Sequence, residues 1–168
     1  MAAVALNVRL TCSKLGVCRV ELLRAREPTT ACQVEIRFQQ TPVTRRLLKR
    51  ADCWRKQLQR YLSGEQVCFR IPVDLRTGTP FQQKVWRTLQ RIPYGQTRSY
   101  AWVARRIGQQ RAARAVGAAC AANPVPILVP CHRVLRSNGS LGGFSAGPAR
   151  KRALLQLEQA GIRPVPSA

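Results

Sequence analysis

The only histidine of the 168-residue chain, His132, follows a cysteine directly: residues 125 to 143 read VPILVPCHRVLRSNGSLGG. A cysteine attacks as its thiolate, and a nearby imidazole or positive field raises the thiolate fraction. Adjacent side chains diverge on a helix or strand, so Cys131 and His132 need a turn or a bridging water to cooperate. Pro130 makes a turn there plausible. An imidazole that accepts a proton is usually oriented by a carboxylate on its other nitrogen. From Leu75 onward the chain holds a single acidic residue, Glu158, which nominates Cys131, His132 and Glu158 as one chemical unit. The competing reading is a small buried thiol of no chemical use, a common fate for cysteine.

Three prolines at 124, 126 and 130 forbid a helix before the cysteine and bias their predecessors toward extended backbone. VPILVP is therefore expected as an extended, buried, apolar segment delivering Cys131 to the turn-rich loop SNGSLGG. Upstream, TRSYAWVARRIGQQRAARAVGAACAANP predicts a helix from about Ser99 to Ile107, a turn at Gly108 and a second helix from about Arg111 to Ala122, a helix-turn-helix. Positions 112 to 122 are almost all Ala, Gly or Val, with Arg114 the one long side chain. A slim helix with one projecting arginine suits entry into a groove of DNA and insertion of a wedge; tight packing in a core is the alternative. Thr79 and Pro80 open an earlier helix through FQQKVWRTLQRI, and Gly147 and Pro148 precede a last one, ARKRALLQLEQA, which carries Glu158 near its end and stops at Gly161.

The N-terminal half reads differently. VALNVRL, GVCRVELL and ACQVEIRF alternate apolar and polar residues as strands of a small antiparallel sheet. From Pro42 to Leu62 the apolar residues Val43, Leu47, Leu48, Ala51, Trp54, Leu58, Tyr61 and Leu62 recur at helical spacing, with Gly64 as the stop. VCFRIPV at 67–73 is a further candidate strand, and DLRTGTP at 74–80 is rich in turn formers. The expected fold is α+β: a small N-terminal antiparallel sheet with a helix over 1–77, joined to a mainly helical domain over 78–168 that contains the helix-turn-helix.

Twenty-nine Lys and Arg against seven Asp and Glu give a formal charge of +22, and arginine heavily outnumbers lysine. Such self-repulsion is relieved by a polyanion, and bidentate guanidinium contacts to phosphate make nucleic acid the expected partner over a merely solvated basic surface. Seven cysteines, an odd number without a CxxC pair, argue against a disulfide framework and for a reducing compartment. No apolar run of membrane length and no signal-peptide pattern is present, so an intracellular protein is expected, in the cytoplasm of a prokaryote or the nucleus of a eukaryote, without membrane contact.

These features converge on a resemblance. PCHRV at 130–134, preceded by NPVPILV and followed by NGSLGGF, resembles the signature of the O6-alkylguanine-DNA alkyltransferases. FQQKVWRTLQRIPYGQTRSY and RAVGAACAANP are similar to the same family, so the likeness runs from Gly78 to Glu158. It implies a single-turnover repair protein that binds double-stranded DNA bearing O6-alkylguanine in the minor groove and flips the base. The alkyl group then passes irreversibly to Cys131 from O6 of guanine, and from O4 of thymine.

In that reading His132 accepts the thiol proton through a water, Glu158 orients the imidazole, Tyr100 donates toward the leaving base and Asn123 braces the turn before the cysteine. Arg114 occupies the arginine-finger position, while Gln82, Ala101 and Ser137 fall near positions that touch the DNA backbone. Pro126, Val134, Phe144 and Ser145 fall on positions that line the base pocket. Two departures stand out. GFSAG replaces the common GYxGG, removing a phenol hydroxyl at Phe144 and a glycine at Ala146, so bulky alkyl groups are expected to fit differently. No histidine precedes residue 132, so the zinc site of some members is not expected.

A thioether at Cys131 has no easy hydrolytic exit, and the alkylated base supplies both electrophile and leaving group, so no cofactor is needed. The expected molecule is a monomer able to cluster along DNA, left less stable once its packed site is alkylated. Two rivals remain at this point. One is a non-catalytic lesion-binding protein, whose kind commonly replaces the cysteine by tryptophan. The other is a cysteine hydrolase, against which the basicity speaks.

Overall fold

In the computed structural model, residues 6–24, 33–39 and 43–162 are described. Alternation along β1, Leu6–Cys12, turns Leu6, Val8, Leu10 and Cys12 into the core and leaves Asn7, Arg9 and Thr11 partly in solvent. β1 is the central strand: β2, Val17–Arg24, pairs with it antiparallel, and β3, Val34–Phe38, pairs with its other edge in the parallel sense. The α+β class stands, but the sheet is mixed where an antiparallel one was expected. Alternation records which side chains face the core, and is silent on strand direction.

The helix α1, Arg45–Leu62, is capped by Thr44, whose hydroxyl accepts from the Leu47 N–H, and buries Ala51, Trp54, Leu58, Tyr61 and Leu62 at three- and four-residue spacing. Leu48, expected on that face, is 52 % exposed; Pro42 lies outside the described residues. Residues 67–73 form no strand. Only Val73 bridges Val17, and Pro72, which has no N–H to give a ladder, accepts from the Val17 amide through its carbonyl at 2.9 Å.

The second half packs as the spacing predicts. α2, Pro80–Leu89, opens with a capping box between Thr79 and Gln82. α3, Tyr100–Arg106, is capped by Ser99, and α4, Ala113–Ala121, follows a turn at Gly108, whose φ of +76° suits a residue without Cβ. The Trp86 indole N–H donates to the Ala119 carbonyl at 2.8 Å, fastening α2 to α4. α5, Pro148–Gly161, closes the chain. One continuous apolar core runs from Leu6 to Leu154, so the two halves share their interior. No helix among the described residues is long and apolar enough to cross a membrane.

Two short strands escaped the sequence reading. β4, Arg98–Ser99, and β5, Val134–Leu135, pair in parallel, Arg98 opposite Val134 and Ser99 opposite Leu135. At two residues each they are too short to leave a periodic signal, yet they bring the start of α3, and with it Tyr100, beside the segment that follows Cys131.

Candidate active site

Asn123 builds the approach to Cys131. Its Oδ1 accepts from the Val125 N–H at 3.0 Å, and its amide nitrogen donates to the Val129 carbonyl at 2.8 Å and to Cys131 Sγ at 3.1 Å. The VPILVP segment is buried as expected, but its extended course is corrected: Pro126 bridges Val129, the Val129 N–H returns to the Val125 carbonyl, and Ile127 takes φ +73°. A left-handed β-branched residue costs on the order of 1–2 kcal/mol, a strain that three flanking prolines and the Asn123 bonds hold in place. The chain then turns through a short 3₁₀ helix, Cys131–Arg133.

His132 and Glu158 meet as nominated. Nε2 of His132 lies 2.8 Å from Oε1 of Glu158, and both side chains are fully buried. Facing a carboxylate, Nε2 carries the proton, which leaves Nδ1 as the basic nitrogen; Nδ1 is buried without a hydrogen-bond partner in the protein. The 3₁₀ turn makes no direct hydrogen bond between Cys131 and His132 among the described contacts.

Three further groups on Glu158 had not been singled out. Arg133 donates to both carboxylate oxygens, at 2.9 Å from Nε to Oε2 and 2.8 Å from Nη2 to Oε1, and to the Ile92 carbonyl. The Tyr61 hydroxyl donates to Oε1 at 2.7 Å, and the Gly95 N–H donates to Oε2 at 3.0 Å. Burial alone would push the Glu158 carboxyl up; hydrogen bonds from His132 and Arg133 outweigh it and hold the group well below the usual carboxylate range. His132 is pushed down by burial, which outweighs its bond to Glu158, with Arg133 adding to the shift. Glu158 and Arg133 thus form the buried ion pair, and His132 rests neutral beside it.

Cys131 is 2 % exposed, and burial pushes its thiol up, opposed by the Asn123 hydrogen bond and by the Lys151 charge. The resting group is a thiol, contrary to the thiolate that the Cys-His neighbourhood suggested; desolvation outweighs the positive surroundings. Tyr100 stands half-buried on the adjoining wall with its phenol pushed up to about 12, chiefly by burial, with Cys120 and Cys131 adding to it. Gly142 approaches it so closely that a Cβ would fall 2.8 Å from the phenol oxygen.

The remaining candidates divide by exposure. Pro126 and Val134 are buried beside the cysteine turn, Phe144 packs half-buried against the core, and Ser145 is exposed on the loop. Gln82 accepts from the Thr79 N–H through its side-chain oxygen in the capping box. Arg114 projects from α4 together with exposed Ala115, Ala118, Ala121 and Ala122, while Ala101 is half-buried and Ser137 exposed. The helix-turn-helix therefore presents a face of small residues with one arginine. A cavity of about 590 Å³ opens elsewhere, lined by Phe69, Tyr94, Leu128 and Arg133 among others; Cys131 does not line it.

This arrangement has known counterparts. Residues 80–160 match the family model described as 6-O-methylguanine DNA methyltransferase, DNA binding domain. The chain is 54 % identical over 103 residues to a methylated-DNA--protein-cysteine methyltransferase of Mycobacterium tuberculosis H37Rv, covering 61 % of this chain and 62 % of the relative. To the constitutive one of Bacillus subtilis it is 48 % identical over 101 residues, covering 60 % and 61 %. The alignments thus span about three fifths of the length of these curated relatives. In three dimensions it superposes on the crystal structure of M. tuberculosis OGT in complex with DNA with a TM-score of 0.68 at 36 % identity, covering 92 % of this chain and 94 % of the other.

A sheet-and-helix half sharing its core with a helix-turn-helix half is thus a fold this chain has in common, over nearly its whole length, with a solved DNA-bound OGT. The chain belongs to the O6-methylguanine-DNA methyltransferase family.

Proposed function

We propose that the protein repairs DNA by direct reversal of damage, taking an alkyl group from O6 of guanine, and by the same chemistry from O4 of thymine, onto Cys131 in a single irreversible turnover. The observation that carries this reading is the joint placement of four groups: the Asn123 amide on Cys131 Sγ at 3.1 Å, and the His132–Glu158 bond at 2.8 Å that leaves Nδ1 basic. DNA as partner is supported by the charge of +22 and by the DNA complex of the similar M. tuberculosis protein.

The steps follow from the chemistry of the residues. α4 enters the minor groove with its alanine face and Arg114 fills the stack vacated by the extruded base, offsetting part of a flipping cost of a few kcal/mol. The thiol proton passes through a bridging water to Nδ1 of His132, and Glu158 stabilises the imidazolium. The sulfur lone pair forms the S–C bond in line as the C–O bond breaks, and its electrons leave with the purine oxygen. The phenol of Tyr100 donates toward the purine as that charge develops. Because burial disfavours both the thiolate and the imidazolium at rest, ionisation is expected to follow entry of the base. In this reading residues 1–77 act as structural support.

The test is mass spectrometry after incubation with duplex containing O6-methylguanine. One added methyl on the peptide that holds Cys131 is expected. Tight binding with an unmodified peptide would instead establish the lesion-binding reading.

A further inference from the structure

Lys151, in the first turn of α5, is fully buried and is used by none of the steps above. Its ammonium donates to the Val134 carbonyl at 2.6 Å, to the Leu141 carbonyl, to the Gly143 carbonyl at 3.4 Å and to the Tyr100 hydroxyl oxygen at 3.4 Å. It also lies 5.7 Å from the centre of the Tyr100 ring. All four partners are neutral, and no carboxylate among the described residues pairs with it. A buried cation without an anion is costly, so a site that keeps one usually meets negative charge during its work. The ionisable groups whose negative forms act on Lys151 are the Cys131 and Cys120 thiols.

The contact with Tyr100 has a direction. An ammonium can only donate, so it occupies the phenol oxygen as an acceptor and leaves the phenol proton free to point elsewhere. The bonds to Leu141 and Gly143 fix the loop whose Gly142 abuts the same phenol oxygen. Lys151 therefore sets both the orientation of Tyr100 and the loop against it.

We propose that Lys151 is a positioning residue and proton reserve behind Tyr100: it aims the phenol proton at the departing purine and replaces that proton once it has been given up. The inference rests on the alkyl-transfer reading above. As the S–C bond forms and the C–O bond breaks, the purine takes the phenol proton, and the phenolate takes one of the three ammonium protons. Thiolate and ammonium are thereby consumed together, ending as a thioether, a neutral amine and a neutral guanine, while the proton first given up by the thiol stays on His132 beside the Glu158 carboxylate.

Single-turnover methyl transfer is measured for the wild type, Lys151→Met, Tyr100→Phe and the double variant, each checked for melting temperature and for affinity to undamaged duplex. Each single variant is expected to lose roughly 100-fold in rate, the size of a lost proton donor, with little further loss in the double variant because both act through one proton. The wild-type rate is expected to fall at alkaline pH as Lys151 deprotonates, at a pH brought below its ordinary 10.5 by burial, and Tyr100→Phe to lack that fall. Multiplying losses, an unchanged rate in Lys151→Met, or the same alkaline fall in Tyr100→Phe would overturn the proposal. If Lys151→Met does not fold, Lys151→Gln replaces it in the cycle, and the two pH profiles decide without either variant. A wild type that leaves Cys131 unmodified would overturn the transfer reading itself, whereas transfer with independent losses would overturn this inference alone.

Discussion

Tyr61, on the helix of the N-terminal half, donates its hydroxyl proton to Oε1 of Glu158, the same oxygen that faces Nε2 of His132. The sheet-bearing half thus supplies a bond to the group that orients the imidazole, and its contribution reaches beyond shared apolar packing.

Removing that hydroxyl with Tyr61→Phe leaves the ring in place and deprives a buried carboxylate of one donor. Hydrogen bonds to charged groups contribute about 1.5–3 kcal/mol, so a loss of that order in unfolding free energy is expected. Urea titration of the two proteins measures it; an unchanged midpoint would mean that Arg133 and Gly95 satisfy Glu158 without Tyr61.

Cys131→Ala is expected to retain affinity for O6-methylguanine duplex and to lose transfer entirely, since the nucleophile goes while the α4 surface stays. Gel shift and methyl-transfer assays on the same preparation separate the two properties. Equal transfer by the variant would end the proposed chemistry.

Arg114→Ala is expected to lower binding and transfer together and more gradually. Binding of the wild type should weaken steeply with salt as phosphate counterions return, with each lost phosphate contact reducing the logarithmic salt slope by about 0.9. Because the finger is assigned to the base stack and not to a phosphate, the slope of Arg114→Ala should match that of the wild type while its rate falls.

Gly142→Ala places a methyl at φ +63° and 2.8 Å from the Tyr100 oxygen. Left-handed backbone costs a non-glycine residue roughly 1–2 kcal/mol, and the phenol must also move. A lower melting temperature is expected together with slower transfer; a lower melting temperature with an unchanged rate would place the defect elsewhere than at the phenol.

Acid should destabilise the protein in two stages. His132 is depressed on folding below its ordinary 6.5, so unfolded chains take up its proton first, and its stabilising effect is complete above that value and lost as pH falls through the folded one. Glu158 is likewise depressed from 4.5, and its share is lost at lower pH still. Melting temperature followed from pH 8 downward should decline from near pH 6.5, and His132→Gln should remove the first stage.

Cys131, His132 and Glu158 were legible because so little competed with them: one histidine, one acidic residue after Leu75, and prolines that force a turn; Asn123 was reached only through the family resemblance. The helices were legible from their caps, Thr79 with Gln82 and Ser99, and from three- and four-residue spacing. Tyr61 was hidden because a tyrosine on the apolar face of α1 reads as packing, and its partner is 97 residues away. Lys151 was lost among 29 cations, although one signal existed: after Leu75 it and Lys84 are the only lysines in an arginine-rich stretch. The turn at Ile127 could not be read, since prolines favour extended neighbours and only the Asn123 bonds across the turn override that preference.

Closure of the site around Cys131 bears on how long the molecule remains fit for use. Peroxide and small electrophiles react with exposed thiolates, and a protonated sulfur shut away from bulk solvent offers them neither charge nor access. If the protein is consumed by its first reaction, as proposed, that seclusion keeps the sulfur unspent through the wait between lesions. In the same proposed reading, DNA that opens the site is the trigger that arms it.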